Sequence, residues 1–580
     1  MQNKINSFDY SSAGKIRLLP SISQIQLHET LDYYLQISNE DLLSGFRSRA
    51  GLPSLPTRLV GWYSTGIYHI FGQLLGALSK MYCVTGDERA KEKALELLDG
   101  WMECIEPDGY CLYNARGQVG DVCYEFEKLC GGFVDMYAYL KSEKALKALT
   151  CLCDWGASYL SSHSKIGEWY TVPENLFRAY QLTGNIKFKK LAESFLYTKF
   201  WDKFLECPST LSKVHAYSHV NSLNSAVAAY RVSNNRRYLE CAIAAVDLIV
   251  RNHTYATGMF GPAEELFADE GYLGESVLRP LVRETGCYGN SEVPCCSWAV
   301  LKLCRSLLEI TGESKYADWA EKIMINGIGA SLALKGNGLI PYYMYYHVFG
   351  AQKDYYFDHW AWYGGPLLQW TCCAGTYPQA VAEYANFIYW YNNDGLYISQ
   401  FIPSELNCTI KGSSVNINIL TSFPESEEVN INITSTTPVN FTMFLRLPDW
   451  ANDFTLFIDN KTQSISKDPL GWIPVSQHWE GTKTITFKLA MALKWIPVDS
   501  VHQNIGAIQY GPVTLASDTP GVILQNPKCP AEWLKRTSKH QLKFISDENS
   551  IKCYPLMKKV FKPLANYQRG EKYFLYQITE

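Results

Sequence analysis

No run of apolar residues in this 580-residue chain approaches the roughly 20 needed to cross a bilayer. The opening residues, MQNKINSFDYSSAGK, lack the apolar core of an export signal. These two absences set the expectation of a cytoplasmic protein without a membrane partner. Runs of basic residues are also missing, and the formal charge is only −4. Nothing is therefore offered to the phosphates of nucleic acid or to an anionic lipid surface. The 18 cysteines contain no Cys-x-x-Cys pair and follow no disulfide-framework spacing. In a chain without an export signal, most of these thiols are expected to be reduced and buried.

What is present reads as globular. Apolar residues make up 47% and charged residues 19%. The length exceeds what one core supports, so two to four domains are expected. Aromatics reach 14%, with 39 Tyr and 16 Trp; such residues line sugar-binding clefts and equally fill large cores.

One pattern recurs through the first two thirds. A helix-like segment ends at a turn residue, and a polar cap starts the next. It appears in YCVTGDERAKEKALELL, AYLKSEKALKALTCL, AYQLTGNIKFKKLAESFL, AYRVSNNRRYLECAIAAV and LEITGESKYADWAEKI. Apolar residues beside these turns recur at three and four, the period of an amphipathic helix. A series of helical hairpins closes into an (α/α)6 barrel or stacks into an open solenoid. The unequal connections favour the barrel, and the longest, residues 255–294, has the Gly-, Glu- and Pro-rich texture of a functional loop. After about residue 390 the texture becomes alternating and β-branched, as in SVNINIL, EVNINITS and TKTITFKLA. This predicts antiparallel β-sandwich. The expected division is an N-terminal strand segment over 1–30 packing on the β region, a barrel over 31–390 and β-sandwich over 391–580.

Two cysteine pairs stand at loop-to-helix junctions. Cys295-Cys296 stands at the start of the helix pattern SWAVLKLCRSLLEI, and Cys372-Cys373 precedes YPQAVAEYANFIYW. Helix N-termini favour the thiolate. Glu292 lies three residues before Cys295, so Glu292, Cys295, Cys372 and Cys373 together make a donor set suited to tetrahedral zinc. The bland alternative is four buried, unligated side chains.

The stretch TCCAGTYPQAVAEYANFIYWYNNDGLYISQFIPSEL resembles the core motif of the bacterial β-L-arabinofuranosidase family. Matching segments follow in family order across nearly the whole chain, among them SEVPCCSWAVLKLCRSLLEI, YATGMFGPAEELF, VHAYSHVNSLNSAVAAY, YEFEKLCGGFVDMYAYL and QYGPVTLASD. The resemblance implies an (α/α)6 barrel with β-sandwich domains. It implies a retaining exo-glycosidase that releases terminal β-L-arabinofuranose, or a related sugar, from plant-type glycans. By motif position, Cys372 is the nucleophile, and Cys373, Cys295 and Glu292 complete a Zn2+ site. Glu264 follows the family's TG turn and is assigned acid/base, with Glu265 and Glu275 as alternatives. His219 sits where the family has a substrate-facing histidine. Glu174 and Lys128, on successive inner-helix patterns, are further candidates for binding the sugar, because a buried charge there needs a partner or a substrate; Tyr342, Tyr343 and Trp370 either line the pocket or pack. The partner is an oligosaccharide or glycoside, and a homodimer is left open. The chain departs from the family pattern in the three-residue Glu292–Cys295 spacing, in the extra Cys296 and in the length of the loop before Glu292. A lyase or epimerase on the same toroid, or a non-catalytic carbohydrate-binding protein, is the competing expectation.

Overall fold

The computed structural model describes residues 4–8, 15–57, 59–61, 70–113, 116, 121–160, 165, 167–267, 269–278, 290–332, 334, 343–353, 369–370, 372–538, 540–548, 550–552 and 558–579. For 60–61, 290–293, 343, 345, 369–370 and 552 it describes the backbone alone.

Six helices form an inner ring: α1 (Phe71–Thr85), α2 (Val122–Leu140), α3 (Pro173–Thr183), α4 (Ala216–Ser233), α5 (Val293–Thr311) and α6 (Cys372–Ala382). Each packs on the next, and α6 packs back on α1, so the ring closes. This is the (α/α)6 barrel, and closure rules out the solenoid. The first five each turn straight into an outer helix, Glu88–Met102, Glu143–Tyr159, Ile186–Glu193, Arg236–Asn252 and Lys315–Lys322. These turns take only two or three residues. Each places a left-handed residue at the helix end: Gly86, Lys141, Gly184, Asn234 and Gly312. In four of them an Asp, Ser or Asn side chain then accepts from the first turn of the outer helix. The connections from outer to inner helices are long, from 160–172 at the shortest to 323–371 at the longest, which exceeds the 255–294 loop expected to be the longest; all leave and re-enter the helices at the opposite end of the barrel.

α6 carries a proline inside the helix, Pro378. Proline has no N–H for the carbonyl four residues back, that of Ala374. Tyr34 fills the vacancy: its hydroxyl, on the helix Ile22–Leu35, donates to the Ala374 carbonyl at 2.5 Å. The outer helix thus completes the hydrogen bonding that the sequence of α6 leaves open.

The inner ring is charged toward the C-terminal ends of its helices. Lys80 contacts Glu383 at 2.7 Å and Asp135 at 3.5 Å, and Arg305 donates to Glu383 at 3.2 Å. Burial alone would raise the pKa of Glu383; Lys80 and Arg305 outweigh it and hold the carboxyl down at about 2. The unfolded value is near 4.5. The stabilisation from this ionised group is therefore complete above about pH 4.5 and is lost as pH falls toward 2. Glu383→Gln is expected to cost most stability at pH 7 and clearly less at pH 3, as measured by urea unfolding at both.

The β region follows. Lys15–Leu18 pairs antiparallel with Ser404–Asn407, and Asn6–Ser7 pairs with Trp390–Tyr391. The N-terminus thus lies on the first sheet, and helix Ile22–Leu35 begins before position 30. In that sheet Val415, Ile417 and Ile419 are buried, while Asn416 and Asn418 face outward. The alternation read in SVNINIL is the sheet's two faces. A second sheet is built from strands between Leu493 and Thr579. Arg446, fully buried, ties the first sheet to the barrel: it donates to Asp318 and Glu321 on the outer helix Lys315–Lys322 and to the Ser399 carbonyl.

Candidate active site

α6 begins earlier than the sequence pattern predicts. Cys295 lies in the first turn of α5, at the helix start the pattern gives it, and the pair Cys372-Cys373 lies inside the first turn of α6 rather than ahead of it. The ring sets these two starts side by side. The Cys295 sulfur is 3.1 Å from that of Cys372 and 3.5 Å from that of Cys373, and the latter two are 3.9 Å apart. All three are buried. The Thr376 hydroxyl, one turn into α6, lies 3.1 Å from the Cys295 sulfur.

The donor set fits a thiophilic metal. Sulfurs bound to tetrahedral zinc at about 2.3 Å lie about 3.8 Å apart; the 3.5 and 3.9 Å separations are close to this, and the 3.1 Å one is shorter. Among the described residues this is the one group of three metal-binding side chains close enough to share an ion. The backbone of Glu292 ends strand Asn290–Glu292, immediately before α5; its side chain lies outside the described residues. Tyr342 and the side chains of Tyr343 and Trp370 also lie outside them.

Tyr124 and Tyr217 stand near the sulfurs. Burial, then Tyr217, Cys372 and Cys295, push the Tyr124 hydroxyl far above its ordinary pKa. Lys128 sits against this pair, 4.5 Å from the Tyr124 ring centre and 2.5 Å from the Glu127 carboxylate. Burial opposes its charge, but Glu127 and Tyr217 raise the ammonium pKa above its ordinary value. Lys128 is thus a paired cation beneath the thiols. Glu174 is placed differently. It is bound to Lys302 at 2.5 Å, and Lys302 lies seven residues past Cys295 on α5, about 10 Å down the axis. Both residues line a cavity of about 310 Å³ reaching toward the C-terminal ends of the ring helices.

Glu264 lies at the end of the one-turn helix Pro262–Glu264, just before the two-residue strand Glu265–Leu266. That strand pairs with Val214–His215 at the start of α4. Ala263 and Glu264 both have positive φ, 55° and 62°. Two successive non-glycine residues in the left-handed region are strained, and such strain concentrates at functional sites. The neighbouring Glu265 is engaged by Lys213 at 2.9 Å. Glu275 sits on the short helix Tyr272–Leu278.

The histidine beside Glu264 is His215, not His219. His215 Nε2 is 3.8 Å from a Glu264 oxygen, and its Nδ1 is 2.9 Å from Glu168. Burial raises the Glu168 pKa, but the bond and charge of His215 outweigh it and hold the carboxyl below its usual range. His219 is wedged among Tyr170, Tyr197 and Phe200, with Nδ1 donating to the His215 carbonyl at 2.8 Å. Burial lowers its pKa to about 4, so it is neutral at pH 7. Sequence reading missed Glu168 and His215. The second had a signal, the i, i+4 pair in HAYSH at a helix start; the first, in a loop, had none.

Gln73 and Asn221 were also missed. Both are buried, and neither side-chain amide finds a hydrogen-bond partner among the described residues. Gln73 abuts Gly375 in the first turn of α6, so its amide lies close to the thiol pair. Asn221 lies one turn beyond Tyr217 on α4. Polar residues inside two apolar helix patterns were the available signal.

The sequence model of the β-L-arabinofuranosidase GH127 catalytic domain matches residues 15–386, and that of the GH127 middle domain matches 395–491. A non-reducing end β-L-arabinofuranosidase of Bifidobacterium longum subsp. longum is 24% identical over 298 residues, 47% of this chain. The match spans 41% of that relative's length. The fold is shared with a GH127 β-L-arabinofuranosidase from Geobacillus stearothermophilus T6, at TM-score 0.73 and 15% identity over 98% of this chain and all of that one. It is shared also with a second GH127 β-arabinofuranosidase, at TM-score 0.75 and 15% identity over 100% of this chain and 99% of that one. With the catalytic-domain match covering well over half its length, the chain belongs to the GH127 β-L-arabinofuranosidase family of glycoside hydrolases.

Proposed function

We propose that this protein is a retaining exo-glycosidase that releases terminal β-L-arabinofuranose, or a closely related sugar, from oligosaccharides. Cys372 is the nucleophile and Glu264 the acid/base. The observation that carries the reading is the cluster of Cys295, Cys372 and Cys373 sulfurs at two adjoining helix starts, in a chain of this family.

Cys295, Cys372, Cys373 and Glu292 would hold a zinc ion, which when bound keeps its sulfur ligands deprotonated at neutral pH. The first-turn amides of α6 favour negative charge at the same place. In the first step the Cys372 sulfur bonds to the anomeric carbon as the glycosidic C–O bond breaks. The departing oxygen takes a proton from Glu264. In the second, Glu264 removes a proton from water, the water oxygen bonds to the same carbon, and the C–S bond breaks to return the thiolate. Two displacements at one carbon retain its configuration. His215, held by Glu168, faces the carboxyl that must exchange this proton. Gln73 and Asn221 supply amide donors and acceptors for sugar hydroxyls. A buried amide without a partner costs on the order of 1–3 kcal/mol, which a bound sugar would relieve.

The test is zinc content together with hydrolysis of p-nitrophenyl β-L-arabinofuranoside. One zinc per chain with turnover is expected. Protein purified under reducing conditions that contains no zinc would overturn the thiolate chemistry. Glu264→Gln is expected to slow an alkyl arabinofuranoside by about 10²–10⁴-fold. In kcat/KM, which reports the first step alone, the p-nitrophenyl glycoside, whose leaving group needs little protonation, should lose far less. Equal loss on both would remove Glu264 from the acid role.

A further inference from the structure

Residues 493–579 lie beyond both matched family segments, and they form their own sheet. That sheet reaches into the connection between the outer helix Arg236–Asn252 and α5 at two points. At the first, Ala256 has both backbone groups taken by side chains of the sheet. Its N–H donates to the Tyr576 hydroxyl at 2.9 Å, and its carbonyl accepts from Gln509 Nε2 at 2.9 Å and Thr514 Oγ1 at 3.0 Å. At the second, the Gly274 N–H donates to Asp499 Oδ2 at 2.6 Å. The other Asp499 oxygen accepts from the amides of Val501 and His502 and lies 3.0 Å from His502 Nδ1. All four side chains are buried.

The two points bracket Glu264. Ala256 lies in a hairpin turned at Gly258 and closed by the Thr254–Phe260 bridge, and Gly274 lies on the short helix Tyr272–Leu278. Between them stand Ala263 and Glu264 at positive φ. Each such residue costs on the order of 1–3 kcal/mol and persists only where its surroundings fix it. On the barrel side the loop is held by the short pairing with Val214–His215 and by His253 against the Phe267 carbonyl. Trp319 Nε1 on the outer helix also donates to the Gly258 carbonyl at 2.8 Å, and Thr257 Oγ1 donates to the Tyr346 hydroxyl at 3.1 Å. The sheet adds the anchors at Ala256 and Gly274.

We propose that the C-terminal sheet is part of the catalytic apparatus: Asp499 and Tyr576, with Gln509 and Thr514, are positioning residues that clamp residues 255–274 and so hold Glu264 at the sugar. The inference rests on the acid/base assignment of Glu264 above. It gives the C-terminal region a function separate from solubility or oligomerisation. A carboxylate misplaced by about 1 Å can lose on the order of 10²-fold in rate, so anchors at both ends of the loop have a direct effect on turnover.

Two variants test it in the full chain. Asp499→Asn turns an amide donor toward N–H groups that need an acceptor, and Tyr576→Phe removes only the hydroxyl that holds Ala256. The first readout is hydrogen–deuterium exchange. Faster exchange confined to 253–278, with the sheet's own strands unchanged, is expected. The second readout is the ratio of rates on alkyl and p-nitrophenyl β-L-arabinofuranosides. In kcat/KM, which reports the first step, the alkyl substrate is expected to lose about 10- to 100-fold, with the p-nitrophenyl substrate within about threefold. Unaltered exchange in the loop overturns the clamp. Faster exchange with equal slowing of both substrates overturns its catalytic role and leaves a structural brace. Wild-type protein that cleaves no arabinofuranoside counts against the proposed activity, and the exchange readout still decides the clamp.

Discussion

Replacing Cys372 with serine is expected to lower turnover of p-nitrophenyl β-L-arabinofuranoside by about 10⁴-fold or more, because the step proposed for it is bond formation to carbon. A serine hydroxyl is nearly the same size but is a poor nucleophile without a base to ionise it. The fold should survive, since the change is isosteric in a first helical turn. Cys373→Ser and Cys295→Ser are expected to abolish turnover by another route, through loss of zinc, because each removes a ligand and no nucleophile. Cys372→Ser removes a ligand as well, so zinc content is measured in all three variants, and only Cys372→Ser is expected to lose turnover even in the fraction that retains zinc. Cys372→Ser that retains zinc with no activity supports the assignment. Activity within tenfold of wild type in Cys372→Ser would rule the nucleophile out. A second readout follows from slowing the second step. Glu264→Gln treated with an activated glycoside should carry one pentosyl unit on the peptide that contains Cys372, detectable by mass spectrometry; labelling of any other peptide would contradict the mechanism.

Arg446→Met is expected to destabilise the protein by about 3–5 kcal/mol, the cost of leaving buried carboxylates without their cation. Asp318 and Glu321 have that cation in Arg446, and Trp450 Nε1 donates to the other Glu321 oxygen at 2.8 Å. Burial already pushes the Asp318 pKa up to about 7, against the pull of Arg446. Its folded value lies above the unfolded one, near 3.8. Stability through this group therefore falls as pH rises between about 4 and 7. Without the guanidinium both carboxyls need protons to stay buried, so the variant should lose less at pH 5 than at pH 8. Adding Asp318→Asn and Glu321→Gln should recover much of the loss. Urea unfolding at the two pH values measures all of this; a single-variant loss below about 1 kcal/mol would show the interface is held by packing alone.

The hairpins of the barrel were legible because each turn carries its own cause. A left-handed C-cap followed by an N-cap is a local instruction, readable at Gly86-Asp87 or Asn234-Asn235 without knowing the fold. Likewise Val415, Ile417 and Ile419 declare a two-faced strand. The site was legible only in part. Cys295 and Cys372 are 77 positions apart, and no local pattern states that α5 and α6 adjoin. The family resemblance supplied that. His219 is named by its place in the family motif, while His215 is not legible, because which ring meets Glu264 depends on the pairing of Val214–His215 with Glu265–Leu266. Glu174 looked like a substrate ligand because a buried carboxylate needs a partner, and its partner proved to be Lys302. The clamp from Asp499 and Tyr576 had no sequence signature, since it joins residues more than two hundred positions apart.

The unequal connections of the toroid have an evolutionary consequence. At one end five reversals of two or three residues are fixed by capping chemistry, so insertions there would unseat a helix. At the other end every return is long, and it is there that the thiols and Glu264 are found. Lengthening or recasting those returns leaves the ring's stability largely untouched. A lineage on this scaffold can thus change which glycoside it accepts by rewriting one rim, while selection for folding acts on the opposite one. Insertion scanning should show the same polarity, with tolerated sites crowding the thiol end and almost none at the tight turns.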